Sequence, residues 1–447
     1  MEYLFIILGI EITFCIIEYF HAKAVFVNPT FLAFIVITVS TLLGIIGNSY
    51  WKVKVSPSTI LVILFGFLSM LLADYLAKRI TGNYRYDKNE QIDYIQFNCK
   101  RENIVLGIVV ICTILYCIDI LRAGSAIGHG GWSAIYAVKR DNSHTNVLIR
   151  QGVKIVMAAM FVHTFIFINN VVVLGKKGLK NYKHLIPAIC AIVCSIFTSV
   201  RTEIFRVITA LMVSLCILIF QKQGWKTTSL RKFVMLIIPY IALGVILLVG
   251  VRFIVKGTEN ATSNTYGVFM YAAYYVGTPI IVLGSKLAEG ASCFRGNLFG
   301  EITFNRFYEF LQKMGVFSDV SLQNGSRNVW IDEANKITAN VDTILGPPTI
   351  DFGIIGMAIY IFIIFYALNR YYYKYIYRTQ SSPKRNIKII TYSFLAAIPS
   401  MAYYTNYLNQ YLTVYFVLTF ILIKFIEIYY GMIPIFKKKR APDKILK

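Results

Sequence analysis

Acidic residues are scarce in this chain. Asp and Glu together number 22 against 45 Lys and Arg, and the formal net charge is +23. In a soluble protein that balance would point to nucleic acid. Here most of the cations fall in short runs between apolar stretches, so no nucleic-acid partner is expected and the bias reads as the positive-inside rule. The usual signatures of site chemistry are also missing. There is no DxD pair, no HExxH and no close His/Cys cluster, so the sequence indicates no bound metal and no cofactor. No G-x-S-x-G and no P-loop is present, which removes support for a serine hydrolase or an ATP-driven pump. The eight cysteines, at 15, 99, 112, 117, 190, 194, 216 and 293, form no CxxC pair and lie mostly inside apolar segments. They read as small membrane hydrophobes and not as a disulfide framework.

What the chain has in abundance is apolar surface. Residues of the AVILMFWYC class make up 57%, and the mean hydropathy is +0.61. A soluble core cannot absorb that much, whereas a bilayer replaces the core with hydrocarbon. A spanning helix needs about 20 mostly apolar residues. Stretches near 3–20, 31–50, 59–77, 103–121, 153–174, 185–200, 203–221, 233–253, 350–369, 388–404 and 408–430 qualify, some of them short. The expectation is an all-α polytopic membrane protein with about eleven helices, within a range of about ten to twelve. The whole of 1–447 then reads as one integral membrane domain. Glu2 and Glu11 stand where a signal peptide carries cations, so the first stretch reads as a retained helix.

Five cationic runs lie at 78–101, 176–183, 222–232, 370–388 and 437–447. If the helices alternate, all five fall on one side, which the positive-inside rule assigns to the cytoplasm. The N-terminus is then outside and the tail inside. Lys52 and Lys54 come out on the opposite side and leave the first two helices the weakest part of the scheme. Two long segments face outward: 122–152, the first outer loop, and 254–349, a large extracytoplasmic loop between helices eight and nine. Within the latter, 267–288 is apolar and aromatic but interrupted by Gly277 and Pro279. It suits an interfacial helix, a re-entrant helix or a twelfth span, and its aromatic density favours the interface.

Ionisable groups in or at a bilayer need a reason. Arg201, Glu203 and Arg206 sit at the outer turn between helices six and seven, in SVRTEIFR; Arg252 closes helix eight, and Lys139 and Arg140 lie in the first outer loop. These cations stand on the side that positive-inside disfavours. Arginine offers a planar fork matched to phosphate, so the group reads as an anion site for a lipid-borne diphosphate. Snorkelling to headgroups, or pairing of Arg201 and Arg206 with Glu203, explains any one of them equally well. The end of the long loop, ANVDTILGPPTIDFGIIG, is the second feature. Gly346, Pro347 and Pro348 are expected to stop regular structure, and Thr349 or Asp351 to cap the helix that follows. Proton acceptors available outside are His129, His144, Glu203, Glu301, Asp332, Glu333 and Asp342.

The outer cationic turn with R-T-E-I at 201–204, the late outer loop, and Asn340, Thr343, Asp351, Phe352 and Gly353 opening a helix together resemble the Wzy-type oligosaccharide repeat-unit polymerases of O-antigen, capsule and exopolysaccharide assembly. The likeness extends along the whole chain, and architecture carries more of it than the short motifs. It implies polymerisation of undecaprenyl-diphosphate-linked repeat units on the outer face of the bacterial cytoplasmic membrane. The growing glycan passes from its lipid diphosphate to the nonreducing end of a new unit, without nucleotide sugar or metal. It further implies a glycosyltransferase C-like fold by analogy, and a flippase and a chain-length regulator as pathway partners. In that scheme Arg201, Arg206 and Arg252 hold the donor diphosphate and Arg140 assists. Asn340, Thr343 and Asp351 position sugar hydroxyls or the base, and Glu203 or His144 takes the acceptor proton. An O-antigen ligase-type transferase shares this architecture but usually offers a histidine in the late outer loop, and 254–349 has none. A lipid-linked oligosaccharide flippase would need cations deep in a two-lobed cavity, and no matching halves are visible.

Overall fold

Asparagine and proline start most of the helices. The computed structural model describes residues 1–22, 27–81, 92–140, 143–198, 201–225, 267–290, 296–316, 322, 328–379 and 382–432. Helix α1 covers Glu2–His21, α2 Pro29–Trp51, α3 Ser58–Thr81, α4 Cys99–Ala126, α5 Trp132–Arg140 and α6 Val147–Leu174. Asn28, Asn98 and Asn146 cap α2, α4 and α6 by accepting from the amides of Thr30, Lys100 and Leu148. These amides have no partner within the helix, so the caps supply one. A 3-10 segment, Gly175–Leu185, follows α6 and leads into α7, Ile186–Phe197, and then α8, Arg201–Lys222. The remaining helices are α9 (Val268–Glu289), α10 (Asn305–Lys313), α11 (Gly346–Tyr375), α12 (Pro383–Leu395) and α13 (Val414–Tyr429). Between α10 and α11 a small antiparallel hairpin pairs β1, Val329–Asp332, with β2, Ile337–Ala339.

Seven of the described helical stretches are long and apolar enough to cross a bilayer: α1, α2, α3, α4, the run from α6 through α7, α8 and α11. The chain is a helical multi-pass membrane protein. The expected span at 233–253 lies outside the described residues. Three other expected spans are interrupted, among them 408–430, which is split into Leu408–Tyr411 and Val414–Tyr429. At 185–200 the helix α7 has only 12 residues, about 18 Å of rise against about 30 Å of hydrocarbon. At 388–404 the helix breaks at Ala396 before a short turn, Ala397–Ser400.

The start of α11 corrects one expectation. Gly346, Pro347 and Pro348 do not stop the helix; they form its first turn. Proline fits there because its fixed φ suits a helix and the missing N–H would have no partner in any case. Neither Thr349 nor Asp351 caps the helix. Thr349 Oγ1 donates to the Leu345 carbonyl at 2.6 Å, and Asp351 accepts from the Thr303 amide at 2.7 Å. A break comes later, at Gly353, whose φ of 71° and ψ of −177° suit only glycine.

Packing joins α1, α2 and α3 through Phe34 stacked on Phe67 at 4.4 Å, with Phe14 edge-on to both. Helix α9 crosses α2 backbone to backbone. A Cβ on Gly277 would stand 2.4 Å from the Gly44 nitrogen, and Ser40 Oγ donates to the Val276 carbonyl at 2.5 Å. Small residues permit such contact, and lipid-embedded helices use it because burial against lipid-like neighbours gives little drive.

The two ends of the bundle differ in charge. At the end where α8 finishes, Lys222 Nζ donates to the Val172 carbonyl at 2.6 Å, Lys183 pairs with Glu102 at 2.6 Å, and Arg101 reaches the Tyr429 carbonyl at 2.9 Å. Tyr371 OH meets the Lys388 carbonyl there. Described parts of four cationic runs therefore gather at this end. At the end where α8 begins, the Ile344 amide donates to the Ala402 carbonyl at 2.8 Å, and Arg306 N donates to Asn409 Oδ1 at 3.1 Å. Helix α9 touches this end repeatedly: Tyr274 OH donates to the Thr338 carbonyl, and the Gly284 carbonyl accepts from Ser56 N.

Candidate functional site

The first turn of α8 carries Glu203, where the positive end of the helix favours a carboxylate. Arg206 follows at i+3 and therefore on the same face. Its Nη1 donates to Glu203 Oε2 at 2.5 Å. Arg206 is fully buried, whereas the Glu203 side chain keeps 15% of its exposure. Three rings enclose the guanidinium, from Phe416 at 4.2 Å, Phe161 at 5.4 Å and Phe394 at 5.6 Å. Cation–π attraction offsets part of the cost of burying the charge.

Glu203 opens onto a cleft of about 400 Å³. One wall comes from α6 and the end of α7, with Val153, Met157, Ser195 and Thr198. The facing wall is α10, which presents Arg306, Glu309, Phe310 and Lys313. Gln410, Thr413, Tyr415 and Phe416 close the third side. Thr413 both lines the cleft and caps α13 by accepting from Phe416 N at 3.4 Å. Arg306 pairs with Glu309 at 2.7 Å but remains 45% exposed, so its charge is available at the rim. Behind the cleft, the Tyr407 and Tyr411 rings pack against Phe416 at 6.1 and 4.8 Å. The arrangement combines the Glu203 carboxylate, a second carboxylate at Glu309 that is paired with Arg306, two rim cations, and aromatic and hydroxyl side chains suited to sugar faces and hydroxyls.

Residues 148–398 match the family model described as "Putative O-antigen polymerase", which is more than half of the chain. The chain belongs to the O-antigen polymerase family. No curated protein and no solved structure matches it. Membership implies a glycosyltransferase-like polymerase acting on a lipid-linked oligosaccharide in the membrane. The matched region opens at the start of α6, contains Glu203, Arg206 and α10, and ends short of the 410–416 wall.

Of the expected residues whose side chains are described, only Glu203 lines the cleft, with Arg206 directly behind it. Arg201 opens α8 and Arg140 ends α5, but their side chains lie outside the described residues, as does all of Arg252. His144 is exposed in the turn before α6 and does not line the cleft. The 340–351 motif is engaged elsewhere. Asn340 is exposed after β2, and Thr343 is buried with Oγ1 accepting from Leu345 N at 3.3 Å. Asp342 forms a buried ion pair with Lys286 at 2.9 Å. Asp351 belongs to a knot in which Asn406 Nδ2 also bonds the Thr303 carbonyl and Tyr360 OH, holding 301–305 against α11. Glu301 Oε2 accepts from Leu298 N in the same segment.

Sequence reading passed over the α10 wall. Its signal was present: NRFYEFLQK places Arg306, Glu309 and Lys313 on one face of a short amphipathic helix inside the long loop.

Proposed function

We propose that this polymerase extends a glycan on the outer face of the bacterial cytoplasmic membrane, using undecaprenyl-diphosphate-linked repeat units as donor and acceptor. The observation that carries the reading is the cleft at the start of α8, with the Glu203 carboxylate on one side and Arg306 and Lys313 on the other. It lies at the end of the bundle opposite to the one where cationic runs gather, and the positive-inside rule makes that the outer end. The C-terminal tail, with six cations in 437–447, is then cytoplasmic. The repeated contacts of α9 with the outer end support an interfacial or re-entrant role for it within the large outer loop.

The acceptor hydroxyl at the nonreducing end attacks the anomeric carbon of the donor glycan. Glu203 takes the hydroxyl proton as the new C–O bond forms. The bond from that carbon to the diphosphate oxygen breaks, and the leaving group carries the electron pair. Arg306 and Lys313 at the rim bind the lipid diphosphate of the donor, and Arg201 and Arg252 stabilise the charge that develops as it departs. Asn340, Thr343 and Asp351 do not line the cleft; Asp351 supports it from a distance by holding residues 301–305 against α11.

The test uses purified protein in lipid nanodiscs supplied with lipid-linked repeat units. A ladder of lengthening polymer supports the reading. A single transfer to another acceptor would indicate a ligase, and unchanged substrate would remove the enzymatic reading.

A further inference from the structure

Arg206 is an arginine inside a membrane helix, with almost no exposure, next to the cleft but not lining it. A guanidinium keeps its proton under all ordinary conditions, so this position demands a permanent anion. The one it has is Glu203, whose Oε2 accepts from Nη1. Nε and Nη2 make no hydrogen bond. They sit among Phe161, Phe394 and Phe416, so the carboxylate is the dominant electrostatic partner. Among the described residues no side chain or amide donates to Glu203 Oε1. One carboxylate oxygen is thus pinned and the other is left for a ligand.

The surroundings make a purely structural role a poor account. Three phenylalanines would pack well against an apolar side chain, and replacing a buried ion pair by apolar residues of similar volume is often neutral or stabilising. A diphosphate ligand is excluded by geometry as found, because Phe416 lines the cleft and also covers the guanidinium at 4.2 Å. We infer that Arg206 is a positioning residue: it holds the Glu203 carboxylate in one rotamer, so that its free oxygen meets the acceptor hydroxyl. This rests on Glu203 being the base in the proposed reaction.

The experiment measures kcat and donor KM for Arg206→Met and Arg206→Lys in nanodiscs with synthetic lipid-linked repeat units. In Arg206→Met, kcat should fall about 100-fold while donor KM moves by less than about threefold, as expected when an interaction serves only the transition state. Arg206→Lys, whose ammonium still reaches Oε2, should recover at least about tenfold of that loss. Should Arg206→Met fail to insert, Arg206→Gln replaces it with the same expected fall in kcat. A raised donor KM at unchanged kcat in either neutral variant would make Arg206 a donor ligand and overturn the inference. Wild-type kcat in the neutral variant would overturn it as well, as would a Lys variant no better than the neutral one. Glu203→Gln separates the two levels. If it retains wild-type kcat, the reading of Glu203 as base fails. If it is inactive while the neutral Arg206 variant is normal, only the positioning role fails.

Discussion

Lys286 of α9 and Asp342 of the segment before α11 form an ion pair at 2.9 Å, with both side chains buried. It ties helix α9, which runs unbroken through Gly277 and Pro279, to the outer end of the bundle. Removing one partner strands a charge in a low-dielectric site, while removing both does not. Lys286→Met alone, which strands the Asp342 carboxylate, should destabilise the protein by about 3–5 kcal/mol, and adding Asp342→Leu should recover most of that loss. Thermal unfolding in detergent measures it. Equal loss in the double variant would show that the pair is not the relevant interaction.

The crossing of α2 and α9 leaves no room for a side chain at Gly277. The obstacle is the backbone of Gly44, which cannot rotate away as a flexible side chain would. Gly277→Ala should therefore cost about 1–3 kcal/mol by overpacking. An unchanged melting temperature would mean that the two helices do not touch in the membrane.

Glu203→Gln keeps the shape of the side chain and removes its basicity. It should still insert, and it should lose about 10²–10⁴ in polymerisation rate. Chain-length ladders on a gel, with membrane levels as control, report the result. Normal ladders would move the base to another residue.

Arg306 lies in an exposed pair with Glu309, and such pairs add at most about 1 kcal/mol, so Arg306→Ala should fold normally. Together with Lys313→Ala it should raise donor KM about tenfold with little change in kcat, and the effect should shrink at high salt. A fall in kcat without a change in KM would assign the two cations to the chemical step.

Arg201 and Arg252 carry the sequence-based assignment to the donor diphosphate. Alanine at both should leave an inserted protein that makes no long polymer, because several leaving-group contacts are lost together. Wild-type ladders from the double variant would end that assignment.

The long apolar runs were legible because a bilayer demands about 20 such residues whatever their neighbours are. Helix starts are set by local capping chemistry at Asn28, Asn146 and Pro383, yet the spans expected from hydropathy begin later, at 31, 153 and 388, because the first turns are less apolar than the segments they open. The start of α11 was misread. Pro347 and Pro348 are compatible with both a stop and a first turn, and only the packing around Leu345 and Thr349 selects the turn. At the site, the spacing of Glu203 and Arg206 told that they share a helix face. It did not tell what that face meets. Arg206 looks like a surface arginine because it stands five residues from the start of α8, and it is covered because α13 returns Phe416 over it.

The sequence by itself determined that this chain spans a membrane many times and that its cations favour one side, because hydrocarbon burial and loop charge act segment by segment. The tertiary structure decided which of the outer charged residues share a cleft. Glu203 stands about a hundred residues before Arg306 and Lys313 along the chain, and Asp342 and Asp351 are drawn into pairing elsewhere. Contacts at that separation come from how helices stack and where loops fold back, and those depend on every packed side chain at once.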